Sequence, residues 1–177
     1  IALLDFSRSE MSNNLRSNIF LLPGNIDINN KQWQLSQSSI NIDSSSITFN
    51  DLKFYHQDQS IAADGKITQN ARDTMRLNFS DITLDFVNLF FPKGNVKFNG
   101  IINGNARFTN LYNKPTFHSD IKIDTLQFND KKVGNTTILT QWNNEKEEIR
   151  MNIESKRGNL KTLDIDGDYT PHNQRLD

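Results

Sequence analysis

The chain has no cysteine. That excludes a disulfide framework and any thiolate zinc site. It leaves the compartment open, because a β-protein outside the cytoplasm can fold without disulfides. Proline is scarce: Pro23, Pro92, Pro115 and Pro171 are the only 4 in 177 residues, and they lie at strand borders, where a missing N–H does least harm. No charge of one sign prevails, since 20 basic and 21 acidic side chains leave a formal net charge of −1. No basic stripe is visible either. Nucleic acid, which is held through many Lys/Arg–phosphate contacts, is therefore not an expected partner. No apolar run is long enough to span a bilayer; the strongest, Leu84 to Phe91, contains Asp85 and Asn88. No signal peptide is visible and the first residue is Ile1. Residues 1–177 read as a single all-β domain, an excised piece of a longer protein.

What is present is alternation. Hydrophobic content is only 35%, but 12 Phe argue against disorder. Ile40 and Ile42 share one parity, followed by Ile47 and Phe49, then Leu52 and Phe54. Ile61, Ala63, Gly65 and Ile67 form another set, Leu77 and Phe79 the next, with Ile82, Leu84 and Phe86 after it. The clearest run is Val96, Phe98, Gly100, Ile102, Gly104, Ala106 and Phe108. Phe117, Ile121 and Ile123 follow, then Leu126 and Phe128, Ile149, Met151 and Ile153, and Leu163, Ile165, Gly167 and Tyr169. Successive side chains on a strand point to opposite faces, so each set lines one face. The interleaved positions are Asn, Lys, Asp, Ser and Thr. A sheet apolar on one side and wet on the other calls for antiparallel pairing.

Turn chemistry separates these runs at Asn29-Asn30, Asn50-Asp51, Asp64-Gly65, Lys93-Gly94, Asn129-Asp130, Asn143-Asn144 and Arg157-Gly158. Asn143 to Glu148 reads as a charged hairpin tip. Short helices are expected at Ser9 to Asn18 and at Leu84 to Phe91. Thr48 to Lys53 resembles Gln127 to Lys132, a short internal repeat of a strand-turn-strand unit.

Motifs for metal or catalysis do not hold together. Asp164, Asp166 and Asp168 alternate with Leu163, Ile165 and Tyr169, which puts the carboxylates on the wet face, and Gly167 does not sit where a calcium loop needs glycine. His56, His118 and His172 fall in separate elements, and no G-x-S-x-G elbow is present. Gly100 and Gly104 form a G-x-x-x-G, but among alternating residues rather than in an apolar helix, so a bend or close backbone approach explains them. The reading is of no catalytic residue, no metal and no cofactor.

The stretch from Leu84 to Asp177 resembles the TamB C-terminal domain family and, more distantly, AsmA-like envelope proteins. The resemblance rests on the apolar Leu84 to Phe91 followed by Pro92, then Gly100, Gly104 and Ala106 in a G-x-x-x-G-x-A passage. Pro115-Thr116-Phe117, Asp120 to Ile123, Leu126 to Asp130, Val133-Gly134, Trp142 and the closing Gly167-Asp168-Tyr169-Thr170-Pro171 follow in the family's order. The first half fits more loosely, through Gly24 to Ile28 and Ile61 to Ile67. The resemblance implies a curled antiparallel or mixed sheet forming an open β-taco-like trough with an apolar interior. It implies a segment of a bridge between two bacterial membranes, in the periplasm, whose parent is anchored in the inner membrane. Phospholipid or another acyl-chain ligand is the implied guest, in lipid transport or outer-membrane biogenesis, with a TamA-type outer-membrane barrel as a partner through segments not present here.

On this reading the apolar groove is lined by Phe98, Ile102, Phe108, Ile121, Ile123, Phe128, Ile149, Met151 and Ile165. Open strand edges would also invite a homodimer. Two other classes compete. One is a closed β-sandwich that binds glycan or protein as a scaffold module. The other, ranked last, is an enzyme on a β-scaffold with paired carboxylates, for which no pairing pattern is visible.

Overall fold

A computed structural model describes residues 2–8, 15–28, 30–84, 96–110, 116–170 and 175–176. The described chain is all-β. Its strands are β1 (Ala2–Arg8), β2 (Leu15–Leu21), β3 (Gly24–Ile28), β4 (Lys31–Leu35), β5 (Ser38–Asp43), β6 (Ser46–His56) and β7 (Gln59–Thr68). They continue with β8 (Thr74–Thr83), β9 (Phe98–Thr109), β10 (Thr116–Phe128), β11 (Lys131–Asn143), β12 (Glu148–Arg157), β13 (Leu160–Thr170) and β14 (Arg175–Leu176). The chain divides into two compact units, Ile1–Asn78 with Arg107–Pro115, and Phe79–Ala106 with Thr116–Asp177. β8 and β9 each give part of their length to both.

In the first unit β1, β2, β5, β6 and β7 pair in that order, and the β3–β4 hairpin joins β6 through β4. In the second unit β9 to β14 follow one another in chain order. Registered pairs are antiparallel in both units. Neither path returns on itself, so the sheet is open. Among the described residues no end strand pairs back to close a barrel. Pairing is antiparallel rather than mixed.

The helix expectations fare differently along the chain. Among the described residues there is no helix. Leu15 to Asn18 belong to β2 and Leu84 is a turn residue, whereas 9–14 and 85–91 lie outside the described residues. The strand wins at Leu15 to Asn18 because all four pair with β1, and Ser17 and Asn18 also with β5, giving the backbone ladder partners that a short, weakly periodic helix could not supply.

Two of the expected turns are corrected. Asn50-Asp51 lies inside β6, and Asp64-Gly65 lies inside β7. The register jumps between the pairs Phe49↔Gly65 and Leu52↔Ala63, so Asn50 and Asp51 together oppose Asp64 in a β-bulge. β10 bulges in the same way between Ile123↔Thr136 and Leu126↔Gly134. The resemblance of Thr48–Lys53 to Gln127–Lys132 therefore joins unlike structures, a bulge in β6 and the hairpin turn at Asn129-Asp130. That turn forms as expected, with φ of 47° and 66° at its two residues, the left-handed pair that a tight hairpin needs. The charged tip falls at Asn144 to Glu147, between β11 and β12. Lys93-Gly94 lies outside the described residues.

The interior is sparse. Trp33, Ala63, Ile82, Leu84, Ala106 and Ile123 are the buried apolar residues among those described. Trp33 packs on the His56 ring, 5.9 Å between centroids, and His56 Nδ1 donates to the Gln32 carbonyl at 2.8 Å. In the first unit Leu4 faces Ile19, Ile19 faces Ile40 and Ile40 faces Phe49, an apolar row across β1, β2, β5 and β6.

The β5–β6 turn is held by Asp43. Its Oδ1 accepts from the Ser45 N–H at 2.8 Å and its Oδ2 from Ser46 Oγ at 2.8 Å. These donors favour the ionised carboxyl and lower it from the ordinary 3.8 to about 2. The contribution to stability is complete above 3.8 and lost as the pH falls from there toward 2. Asp43→Asn should flatten that part of the acid-unfolding curve, which urea midpoints between pH 5 and pH 2 (about the range over which a depressed Asp titrates) would measure.

Gly104 gives a second test. Its φ is +145° and a Cβ would collide with the Asp120 carbonyl oxygen of β10. Gly104→Ala should cost roughly 2–3 kcal/mol. At Gly158, φ is +60° with open space around the added methyl, and alanine there should cost about 1 kcal/mol. Equal urea midpoints for the two variants would contradict this.

Candidate functional site

The candidate site is built by register. β10 to β13 are successive neighbours, and directly opposed residues in an antiparallel ladder share a face. Ile121 faces Ile138, Ile138 faces Ile153 and Ile153 faces Ile165. This isoleucine row crosses four strands, a width of about 14 Å at ordinary strand spacing. One step along the strands on either side, the rows are Ser119, Thr140, Met151 and Gly167, and Ile123, Thr136, Ser155 and Leu163. Trp142, Ile149 and Tyr169 form a further row.

Two of the most buried side chains on this face are short and polar. Ser155 is 0% and Thr136 2% exposed, whereas Ile165 is 39% exposed. A short side chain between tall neighbours is shaded by them, while the tall ones reach out to water. The buried hydroxyls satisfy one another: Thr136 Oγ1 and Ser155 Oγ lie 2.6 Å apart, Ser119 Oγ and Thr140 Oγ1 2.7 Å apart. Paired in this way, they avoid the desolvation cost of lone buried hydroxyls.

The opposite face is wet. Asp120, Leu139, Asn152 and Asp166 form one row, and Lys122, Thr137, Glu154 and Asp164 another. Lys161 bridges Glu154 at 3.0 Å and Asp164 at 2.8 Å. The Asp164 and Glu154 hydrogen bonds hold the Lys161 ammonium pKa above its ordinary value, and Lys156 and Lys161 in turn lower that of Glu154. Asp166 meets Arg150 at 3.5 Å. The Asp164 and Asp166 carboxylates thus already have cationic partners on the solvated face.

Of the candidate groove residues, Ile121, Ile123, Ile149, Met151 and Ile165 come together on the apolar face. Phe128, 41% exposed, lies beyond the β10 bulge, its ring 5.4 Å from that of Phe98. Ile102 is half-buried in the part of β9 that belongs to the second unit, whereas Phe108 belongs to the first unit. Two depressions of about 370 and 390 Å³ lie near the β10 bulge, and Ile123 is the one candidate that lines either. Asn135, Lys156 and Gly158 are common to both.

Sequence reasoning missed Ile138 and the hydroxyl pairs. Thr136, Ile138, Thr140 and Trp142 share one parity in β11, but threonine at alternate positions reads as a wet face. The available signal was β-branching rather than hydropathy.

No family model, no curated protein and no solved structure matches the chain.

Thr136→Val should cost about 1–3 kcal/mol by leaving the Ser155 hydroxyl buried and alone. The double variant Thr136→Val/Ser155→Ala should cost less than the sum of the two single changes, with a coupling of about 1 kcal/mol. Additive urea-melt energies would show that the hydroxyl pair contributes nothing as a pair.

Proposed function

We propose that this chain is a lipid-handling segment of a TamB-like envelope protein, carrying acyl chains or other hydrophobic clients on the apolar face of its sheet. The observation that carries the reading is the Ile121, Ile138, Ile153, Ile165 row, which ends on a side chain 39% exposed. An apolar sheet face must be buried against something. Here the described strands of the second unit supply one layer, and a guest can supply the other.

The energetics suit a carrier. Each methylene removed from water contributes about 0.8 kcal/mol, so a two-chain lipid gains ample energy without a headgroup pocket. Movement along the face requires that this energy vary little from place to place. Isoleucine repeated from strand to strand supplies that uniformity. The ordered motifs between Leu84 and Asp177 support the same reading, and with it a periplasmic setting, a parent held in the inner membrane and an outer-membrane barrel as a partner beyond this stretch. No catalytic residue, metal or cofactor enters this function.

The test is lipid extraction and mass spectrometry on protein purified without detergent. Near-stoichiometric phospholipid is expected, falling several-fold in Ile121→Arg and in Ile165→Arg while the β circular dichroism signal stays the same. Ile165 is the safer site because its side chain already meets water at the row's end. Lipid-free protein that also fails to bind the hydrophobic dye ANS would refute the proposal.

A further inference from the structure

The β10 bulge has counterparts elsewhere in the chain. In β10 the segment Ile123-Asp124-Thr125-Leu126-Gln127-Phe128 is apolar at its first, fourth and sixth positions. The same spacing occurs in β6 as Phe49-Asn50-Asp51-Leu52-Lys53-Phe54, and at the end of β8 as Phe79-Ser80-Asp81-Ile82-Thr83-Leu84. The third residue of each segment has positive φ: 53° at Asp51, 51° at Asp81 and 52° at Thr125. Each segment meets an Asp or Asn on the following strand. Asp64 lies between the partners of Phe49 and Leu52, and Asn135 between those of Ile123 and Leu126. Asn103 Oδ1 accepts from the Asp81 N–H at 2.9 Å, and its amide donates to Asp81 Oδ1 at 3.2 Å. Asn135 Oδ1 likewise accepts from the Thr125 N–H at 3.0 Å. Beside each Asp or Asn stands a glycine of positive φ, namely Gly65, Gly104 and Gly134. A Cβ at these glycines would collide with the carbonyl oxygen of Thr74, Asp120 and Lys156 respectively, each on the next strand.

The spacing has a physical consequence. Side chains alternate with period two, so apolar residues at the first and fourth positions of a flat strand point to opposite faces. One extra residue in a bulge restores the phase. The inserted residue takes up the left-handed conformation, and its N–H leaves the ladder and needs another acceptor. The asparagine amide supplies one at the Asp81 and Thr125 positions. The neighbouring glycine then lets the next strand close up.

We infer that this bulged strand pair is a repeating unit of the protein, and that Asn103 and Asn135 are positioning residues that keep the apolar side chains on either side of a bulge on one face. The functional meaning rests on the apolar-lane reading: the bulge of β10 would keep Leu126 and Phe128 continuous with Ile121 and Ile123.

The absence of native cysteine permits a clean test. A polarity-sensitive thiol dye is placed on Leu126→Cys or, separately, on Ile121→Cys, with and without deletion of Thr125, and bound phospholipid is measured in the same samples. Deletion should shift the dye at 126 toward water-like emission, leave the dye at 121 unchanged and lower bound lipid several-fold. An unchanged dye at 126 in folded protein would overturn the inference. A shifted dye with undiminished lipid would uphold the bulge as the device that sets the faces, and would count against the lane reading alone. Should the deletion prevent folding, Asn135→Ala and Asn135→Asp decide by hydrogen exchange. The Thr125 amide should exchange about tenfold faster in Asn135→Ala, and near the parent rate in Asn135→Asp, which keeps an acceptor oxygen. Equal exchange in all three proteins would overturn the inference.

Discussion

The period of two along a strand is the constraint on which the rest of this structure depends. A one-residue slip sends every later side chain of that strand to the other face. With one face apolar and the other carrying Lys122, Glu154, Asp164 and Asp166, such a slip would put charge among isoleucines and isoleucine in water. The bulges of β6 and β10 are therefore not irregularities in an otherwise regular sheet. They reconcile a sequence that changes parity with a sheet that does not change face.

The same constraint explains what the sequence made legible. The long alternating run from Phe98 to Phe108 became a strand, because alternation is the pattern a strand imposes. Parity changes between Phe49 and Leu52 and between Ile123 and Leu126 were visible too, but their cause was not. Asn50-Asp51 carries the residue chemistry of a turn, since turns and bulges both need a backbone that accepts positive φ. Local sequence alone does not distinguish a chain reversal from an insertion; the partner strand does, and Asp64 opposite Asn50 and Asp51 is information from elsewhere in the chain. Ile138 was hidden for a related reason. Its neighbours in phase, Thr136 and Thr140, look polar until their hydroxyls are seen to be used up across the strands.

The two units handle apolar surface in comparable ways. Each lays a row of large aliphatic or aromatic side chains across successive strands, Leu4 to Phe49 in one and Ile121 to Ile165 in the other. Each leaves a member of that row well exposed, Leu4 at 60% and Ile165 at 39%. A protein stabilised chiefly by a dry core would bury such residues first. Here order comes also from the backbone ladder, the hydroxyl pairs and the Asp43 turn, while Leu4 and Ile165 stay exposed.

The rows of the second unit also give its apolar face a relief. Ile121, Ile138, Ile153 and Ile165 stand as a ridge; beside it Thr140 and Gly167 on one side and Thr136 and Ser155 on the other lie low, among the taller Met151, Ile123 and Leu163. The ridge runs across the strands, not along them. A flexible rod laid on this face fills space best lying parallel to the ridge, crossing strand after strand. That orientation is also the direction in which strands are added to the sheet, so a longer face of this kind requires only more strands, with no change in the length of any one of them.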